Sequence, residues 1–210
     1  MLHQEASEPA TLALIRQLQA DPVLDGFLLA GGTALALMIG HRISIDIDLF
    51  TRKPFDAEAL NEHLEKRYGF SLQFMHKNTL KGFINWVFVD ILTHDYPLLV
   101  SPLNTDNIVM ISKEDIAAMK VNAITGNGTR AKDFVDIYFL LKEFSFKEIL
   151  DFYSQKYRQR NSFHAVKSLT YFDDIDATAW PNLIREKQLK LKDVRKEIIR
   201  NRDLFLNAEH

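Results

Sequence analysis

The chain contains no cysteine. That excludes a disulfide-stapled scaffold, a thiolate metal site and a cysteine nucleophile, and it suits a reducing cytosol. No run of about 18 apolar residues exists, so no segment is read as crossing a membrane. The first residues, Met-Leu-His-Gln-Glu-Ala-Ser-Glu, are acidic and lack an apolar core, so they are not read as a signal peptide. Charge of one sign is also missing: the net charge is −2 and the pI is near 6.4. A protein that coats nucleic acid by charge alone is usually basic overall, so that class is excluded, while a local basic surface is not. Glycine and proline number only 8 and 6 in 210 residues, and no Gly-, Ser- or Pro-rich linker, internal repeat or low-complexity tract interrupts the chain. A cytoplasmic location is expected.

What is present is an ordinary globular composition, 47% hydrophobic and 26% charged, with 15 phenylalanines to fill a core. Apolar spacing predicts a helix over 8–20, with Pro9 suited to its first turn. Phe27 to Ala30 reads as a short buried strand stopped by glycines. Thr33 is expected to cap a helix over 34–39 that Gly40 closes. A strand over 44–50 follows, with Ile45, Ile47 and Leu49 expected inside. A helix is expected over 56–67 and extended segments over 71–77, 80–83 and 85–92. After a loop holding Pro97 and Pro102, a short strand is expected near 108–111. From Ser112 the pattern is helical, opening on a Ser-x-x-acid capping signal: 113–125, 130–143, 145–159, 162–171 and about 184–205. The expected division is an α/β core over 1–111 and a helical C-terminal lobe over 112–210 packed on it.

Three constellations carry chemistry. The first is Gly31-Gly32-Thr33 followed by Asp46-Ile47-Asp48. Residues i and i+2 of a strand share a face, so the two carboxylates project together and repel unless a cation lies between them. A hard divalent ion with oxygen ligands, typically Mg²⁺, suits that pair. A glycine turn into a helix N-terminus lets a phosphate approach backbone N–H groups, and Thr33 adds a hydroxyl. The second is Asp90, in a strand otherwise built of Trp, Val, Phe, Ile and Leu. It reads as a third carboxylate of a two-metal site, or as a strand-end residue exposed at a turn; Asp95 is the weaker substitute. The third is Lys120, Arg130, Lys132, Asp133 and Asp136. Its cations suit triphosphate charge, although its spacing reads equally as an ion-paired helix face. His41-Arg42 serves either phosphate or the helix dipole. The basic stretch from Arg185 to Arg202 reads as a solvated face before an RNA surface. No His pair has metal-ligand spacing, and no nucleophile elbow is present.

Gly31-Gly32-Thr33-Ala34-Leu35 with His41-Arg42-x-Ser44-x-Asp46-Ile47-Asp48-Leu49-Phe50 resembles the AbiEii/AbiGii-type nucleotidyltransferase family. Asp115 to Lys120, with Arg130-x-Lys132-Asp133-Phe-x-Asp136, resembles that family's helical motif, and Tyr171-Phe172-Asp173-Asp174 is also similar. The resemblance implies an α+β fold: a minimal polymerase-β-like mixed sheet flanked by helices, plus a helical C-terminal lobe. It implies transfer of a nucleoside monophosphate from an NTP with Mg²⁺, two ions. The acceptor it implies is RNA, at the tRNA 3′ end as in some relatives, in the toxin of a bacterial toxin–antitoxin or abortive-infection system with a cognate antitoxin. Other outcomes are a small-molecule or protein acceptor, or a non-catalytic nucleotide-binding protein. By position, Asp46, Asp48 and Asp90 would ligate metal and, with Lys120 and Asp133, be catalytic. Gly31, Gly32, Thr33, Arg42, Ser44, Lys132 and Asp136 would bind the nucleotide.

Overall fold

Pro9 begins the first helix because its missing N–H costs nothing there, and the apolar positions that follow give helix α1, Pro9–Gln19, one buried stripe of Leu12, Ile15 and Leu18. The computed structural model describes residues 1–208. The chain divides into two compact units, one made of Met1–Pro97 with Ser101–Ile111, the other of Leu98–Val100 with Ser112 onward.

The first unit is built on a seven-stranded mixed sheet. Its strands are β1 (Leu28–Leu29), β2 (Ile47–Thr51), β3 (Ser71–His76), β4 (Thr79–Ile84), β5 (Val87–Thr93), β6 (Leu103–Thr105) and β7 (Ile108–Met110), in the order β3-β4-β5-β2-β1-β7-β6. β2 runs parallel to β5, and β1 parallel to β7; the remaining neighbours are antiparallel. Helices α2 (Gly31–Ile39) and α3 (Ala57–Tyr68) complete the unit. α1 packs on β7, α2 on β2, and α3 on β3 and β4.

Alternation along the strands decides what each sheet face holds. Ile47 and Leu49, Val89 and Ile91, and Leu80 and Ile84 are buried on one face. The other face carries Asp48 and Phe50 of β2, Phe88 and Asp90 of β5, Lys81 and Phe83 of β4, and Phe74 and His76 of β3, as the ladder register requires. Residues 44–46, expected to begin β2, precede the ladder. Ile45 is therefore 49% exposed instead of buried. Strand β6 lies in a stretch read as loop. Its signal was Asp106-Asn107, two residues tolerant of left-handed backbone, with φ of 54° and 61°, closing the β6–β7 hairpin.

The second unit is helical: α4 (Lys113–Gly126), α5 (Ala131–Leu140), α6 (Phe146–Tyr157), α7 (Phe163–Leu169) and α8 (Leu191–Ala208). Ser112 caps α4 by accepting from the Asp115 N–H, and Ser145 with Glu148 forms a reciprocal capping box on α6. α4 packs against α5, α6 and α7, and α8 against α5 and α6. The Asp115 carboxylate is fully buried, 2.6 Å from Lys156 Nζ, and accepts from the Leu99 and Val100 N–H groups. That is why residues 98–100 belong with this unit. The last helix starts later than expected because Glu186 is left-handed (φ 49°), with its carboxylate taken by Tyr138 Oη at 2.7 Å and by Lys142.

Within the first unit, Asp21 fixes the exit of α1 to α3. Its buried carboxylate lies 2.7 Å from His63 Nε2, accepts from Tyr68 Oη at 2.7 Å and from the Val23 N–H at 3.0 Å. Burial pushes the Asp21 carboxyl up, but the hydrogen bonds from His63, Tyr68 and Val23 outweigh it and hold it below its ordinary value. Burial, and then the bond to Asp21, push the Tyr68 phenol up to about 12. A lowered carboxyl stabilises the fold above its unfolded value and loses that contribution as pH falls through the folded one. A raised phenol contributes below its unfolded value of about 10 and loses it as pH rises toward the folded one. Asp21→Asn is expected to cost about 2 kcal/mol at neutral pH and to flatten the acid limb below about pH 4. Tyr68→Phe is expected to remove the fall in stability above about pH 10. Urea unfolding across pH measures both.

Candidate active site

The glycine turn opens helix α2 three residues earlier than expected. Ala30 is the N-cap and offers no side-chain hydrogen bond, so Thr33 is the third helical residue and not the cap. The first N–H groups of the helix thus have no side-chain cap, and they carry the positive end of the helix dipole. The Ala30 N–H donates to the Asp48 carbonyl at 2.8 Å, which sets this turn beside the carboxylate strand. Gly31 is left-handed (φ 65°), and a Cβ there would lie 2.0 Å from Asp48 Oδ2. A Cβ on Gly32 would lie 2.2 Å from Arg42 Nη2 and 3.5 Å from Ser44 Oγ. Both glycines are demanded by side chains expected in the site.

The same packing holds the segment before β2. The Thr33 hydroxyl is buried, hydrogen-bonds Ser44 Oγ at 2.9 Å and donates to the Asp46 carbonyl. Arg42 is buried and donates to the Ile43 carbonyl at 3.1 Å; His41 is fully buried beside it.

Asp48 and Asp90 are register partners on parallel strands β2 and β5, which sets their Cα atoms about 4.8 Å apart. Asp90 is mid-strand and buried, where the sequence reading put it at a strand end. Lys81, its partner on β4, places Nζ 2.6 Å from Asp90 Oδ2. Asp90 Oδ1 is buried without a hydrogen-bond partner among the described residues. Asp46 and Asp48 are half-buried and two residues apart. Among the described residues no three His, Cys, Asp or Glu side chains form a ready-made metal cage. The residues nevertheless fit a hard divalent cation: the donors are carboxylate oxygens, and one of them, Asp90 Oδ1, is buried without a hydrogen-bond partner among the described residues. Lys81 itself escaped the sequence reading, because only strand register reveals its pairing with Asp90.

In the second unit, Lys120 Nζ is buried 2.6 Å from Asp133 Oδ1 and 2.6 Å from Asp136 Oδ2. Arg130 Nε lies 3.3 Å from Asp133 Oδ2. Two cations thus balance two buried carboxylates. Asp136 is fully buried, while Lys132 is half-buried.

The sequence model of a family described as nucleotidyl transferase AbiEii toxin, type IV toxin–antitoxin system, matches residues 13–208. The chain belongs to the AbiEii family. It is a nucleotidyltransferase of toxin–antitoxin type. An uncharacterized protein of Aquifex aeolicus is 35% identical over 158 residues, covering 72% of this chain and 76% of that one. A Helicobacter pylori protein described as a nucleotidyltransferase is similar in structure, with a TM-score of 0.56 at 17% identity, over 97% of this chain and 99% of that one. JHP933 of H. pylori gives 0.54 at 20% identity, over 94% and 92%. The antibiotic-resistance factor ANT(2″)-Ia gives 0.55 at 14%, over 71% and 91%. These likenesses show the fold alone, the mixed-sheet, polymerase-β-like nucleotidyltransferase fold. No helix among the described residues is long and apolar enough to cross a membrane.

Two substitutions test this AbiEii geometry. Gly31→Ala is expected to reduce nucleotidyl transfer at least about a hundredfold, the scale of losing one well-placed electrostatic contact, since its Cβ displaces the Asp48 carboxylate. Steady-state rates measure it. Lys120→Met leaves Asp133 and Asp136 buried against one guanidinium and is expected to cost about 3–5 kcal/mol, read by denaturant unfolding.

Proposed function

We propose that this AbiEii-family chain transfers a nucleoside monophosphate from an NTP to RNA, at a tRNA 3′ end, as a cytoplasmic toxin opposed by a cognate antitoxin. The observation that carries the chemistry is the meeting of Asp48 with Gly31 at the uncapped N-terminus of α2, with Asp90 in register on the next strand. A helix N-terminus with glycine at its first two positions admits a triphosphate to the backbone N–H groups. Arg42, folded against Gly32, adds positive charge. Thr33 and Ser44 act as positioning residues here, tying the Asp46 segment to the helix.

Asp46, Asp48 and Asp90 would hold Mg²⁺, as two ions, which when bound neutralises phosphate charge and polarises the α-phosphate. The acceptor hydroxyl attacks the α-phosphorus, a new P–O bond forms, the bond to pyrophosphate breaks, and the hydroxyl proton passes to a carboxylate. We assign that proton to the Asp90 carboxylate, in register with Asp48 on the next strand. In the second unit we assign Lys120 and Asp133 as catalytic, and Lys132 and Asp136 to nucleotide binding. In support, Lys120 is held rigidly by both aspartates.

The acceptor side supports a polymer over a small molecule. Phe74 and Phe83, on the face that carries Asp48 and Asp90, are 51% and 37% exposed, so that face is open beyond the carboxylates. Incubating the protein with each labelled NTP, Mg²⁺ and total tRNA is expected to label RNA at its 3′ end. Asp48→Asn or chelation of the metal is expected to lower the rate at least about a hundredfold. Label in a small molecule or in protein, or transfer by Asp48→Asn at the wild-type rate, would overturn the assignment.

A further inference from the structure

The hairpin joining β4 to β5 carries a feature that the nucleotidyltransferase chemistry does not use. Its two-residue loop is Asn85-Trp86, both left-handed, with φ of 49° and 67°. Asn suits such a loop, and Gly ordinarily takes the second place. Trp86 instead stands there 96% exposed, an unfavourable conformation for a bulky residue. Trp86 is one of the residues lining a cavity of about 410 Å³, with Gly69, Ser71, Gln73, Phe83 and Asn85. The residues lining it include two aromatics, two carboxamides and a serine. No charged side chain is among them, so phosphate is not what it fits. Carboxamides offer both a donor and an acceptor to a planar heterocycle, and aromatic rings offer stacking faces. This is the chemistry of a nucleobase site.

Its place on the sheet says which base. Phe83 pairs with Phe88, with ring centroids 5.4 Å apart, and Lys81 pairs with Asp90. Phe83 and Asp90 are thus diagonal neighbours on one sheet face, about 7–8 Å apart. Resting on the function proposed above, we propose that this cavity receives an unpaired base of the acceptor RNA, near the 3′ end whose hydroxyl is presented to Asp48 and Asp90. A single-stranded end can splay its bases onto such rings; a paired duplex cannot.

Trp86 is one of only two tryptophans, so Trp180→Phe leaves it as the sole fluorescent reporter. Titration of that full-length variant with a single-stranded RNA dodecamer is expected to quench Trp86, whereas the same sequence as a duplex, or ATP alone, leaves it unchanged. Trp86→Ala is expected to raise the KM for tRNA about 10- to 100-fold, with kcat at saturating tRNA unchanged and Trp86→Phe restoring most of the loss. Trp86→Gly is expected to raise Tm while weakening dodecamer binding equally, a split that a structural role would not produce. The proposal is overturned by an unquenched Trp86 with the dodecamer, by equal quenching with ATP, or by unchanged dodecamer affinity in Trp86→Ala. Loss of an oligomer in Trp86→Ala with dodecamer affinity intact also overturns it, making the patch a protein interface. The titration needs no catalysis, so an absence of nucleotidyl transfer would count against the proposed function and leave this test standing.

Discussion

The Asp48 carboxylate occupies the space that a side chain on residue 31 would fill, and the remaining site geometry depends on that exchange. With Gly31 left-handed and bare, α2 starts next to β2 and its first N–H groups come beside a carboxylate oxygen. Anionic oxygen and helix N-terminus attract each other, but a carboxylate alone does not serve a triphosphate of like charge. A cation shared by both, as proposed above, would resolve the conflict. The same logic explains Gly32, whose missing side chain makes room for the Arg42 guanidinium, and Thr33, whose hydroxyl anchors the Asp46 carbonyl. One tight packing event thus sets helix, carboxylates and arginine in a fixed relation.

Buried charge is handled by the same device in both units. Lys81 meets Asp90, Lys120 meets Asp133 and Asp136, and Lys156 meets Asp115. Such pairs add little net stability relative to apolar packing, but losing one partner strands a charge. Their roles differ. Lys156 and Asp115 are sealed, and Asp115 also binds the Leu99 and Val100 N–H groups, so this pair fixes chain path. Lys81 leaves one oxygen of Asp90 without a hydrogen-bond partner among the described residues, which is why we propose a chemical role for that carboxylate.

Much of this was legible from residue types alone. The Gly-Gly-Thr turn into a helix carries its own stereochemical reason, and the helical lobe announced itself through the capping signal at Ser112; Asp46 and Asp48 do not share one strand as expected, because Asp46 precedes β2. Errors fell where local pattern and tertiary packing compete. Thr33 is a good N-cap by type, yet its hydroxyl is taken by the Asp46 carbonyl. Ile45 is apolar, yet its segment precedes the paired residues of β2. Glu186 sits in a helical pattern, but side-chain bonds from Tyr138 and Lys142 hold it out of the helix. Lys81 had no local signal, because its meaning lies in a register between strands. Asp90 looked like the end of a strand, and only the register places it opposite Asp48.

The central claim is that Asp48 and Asp90 need a cation before a triphosphate can sit at the α2 N-terminus. Calorimetric titration of NTP into wild-type protein and Asp48→Asn, with and without Mg²⁺, addresses it most directly. The account predicts that Mg²⁺ tightens NTP binding to the wild type at least about tenfold, corresponding to about 1.4 kcal/mol, and that Asp48→Asn loses this gain. Equal NTP affinity with and without Mg²⁺ in the wild type would contradict it.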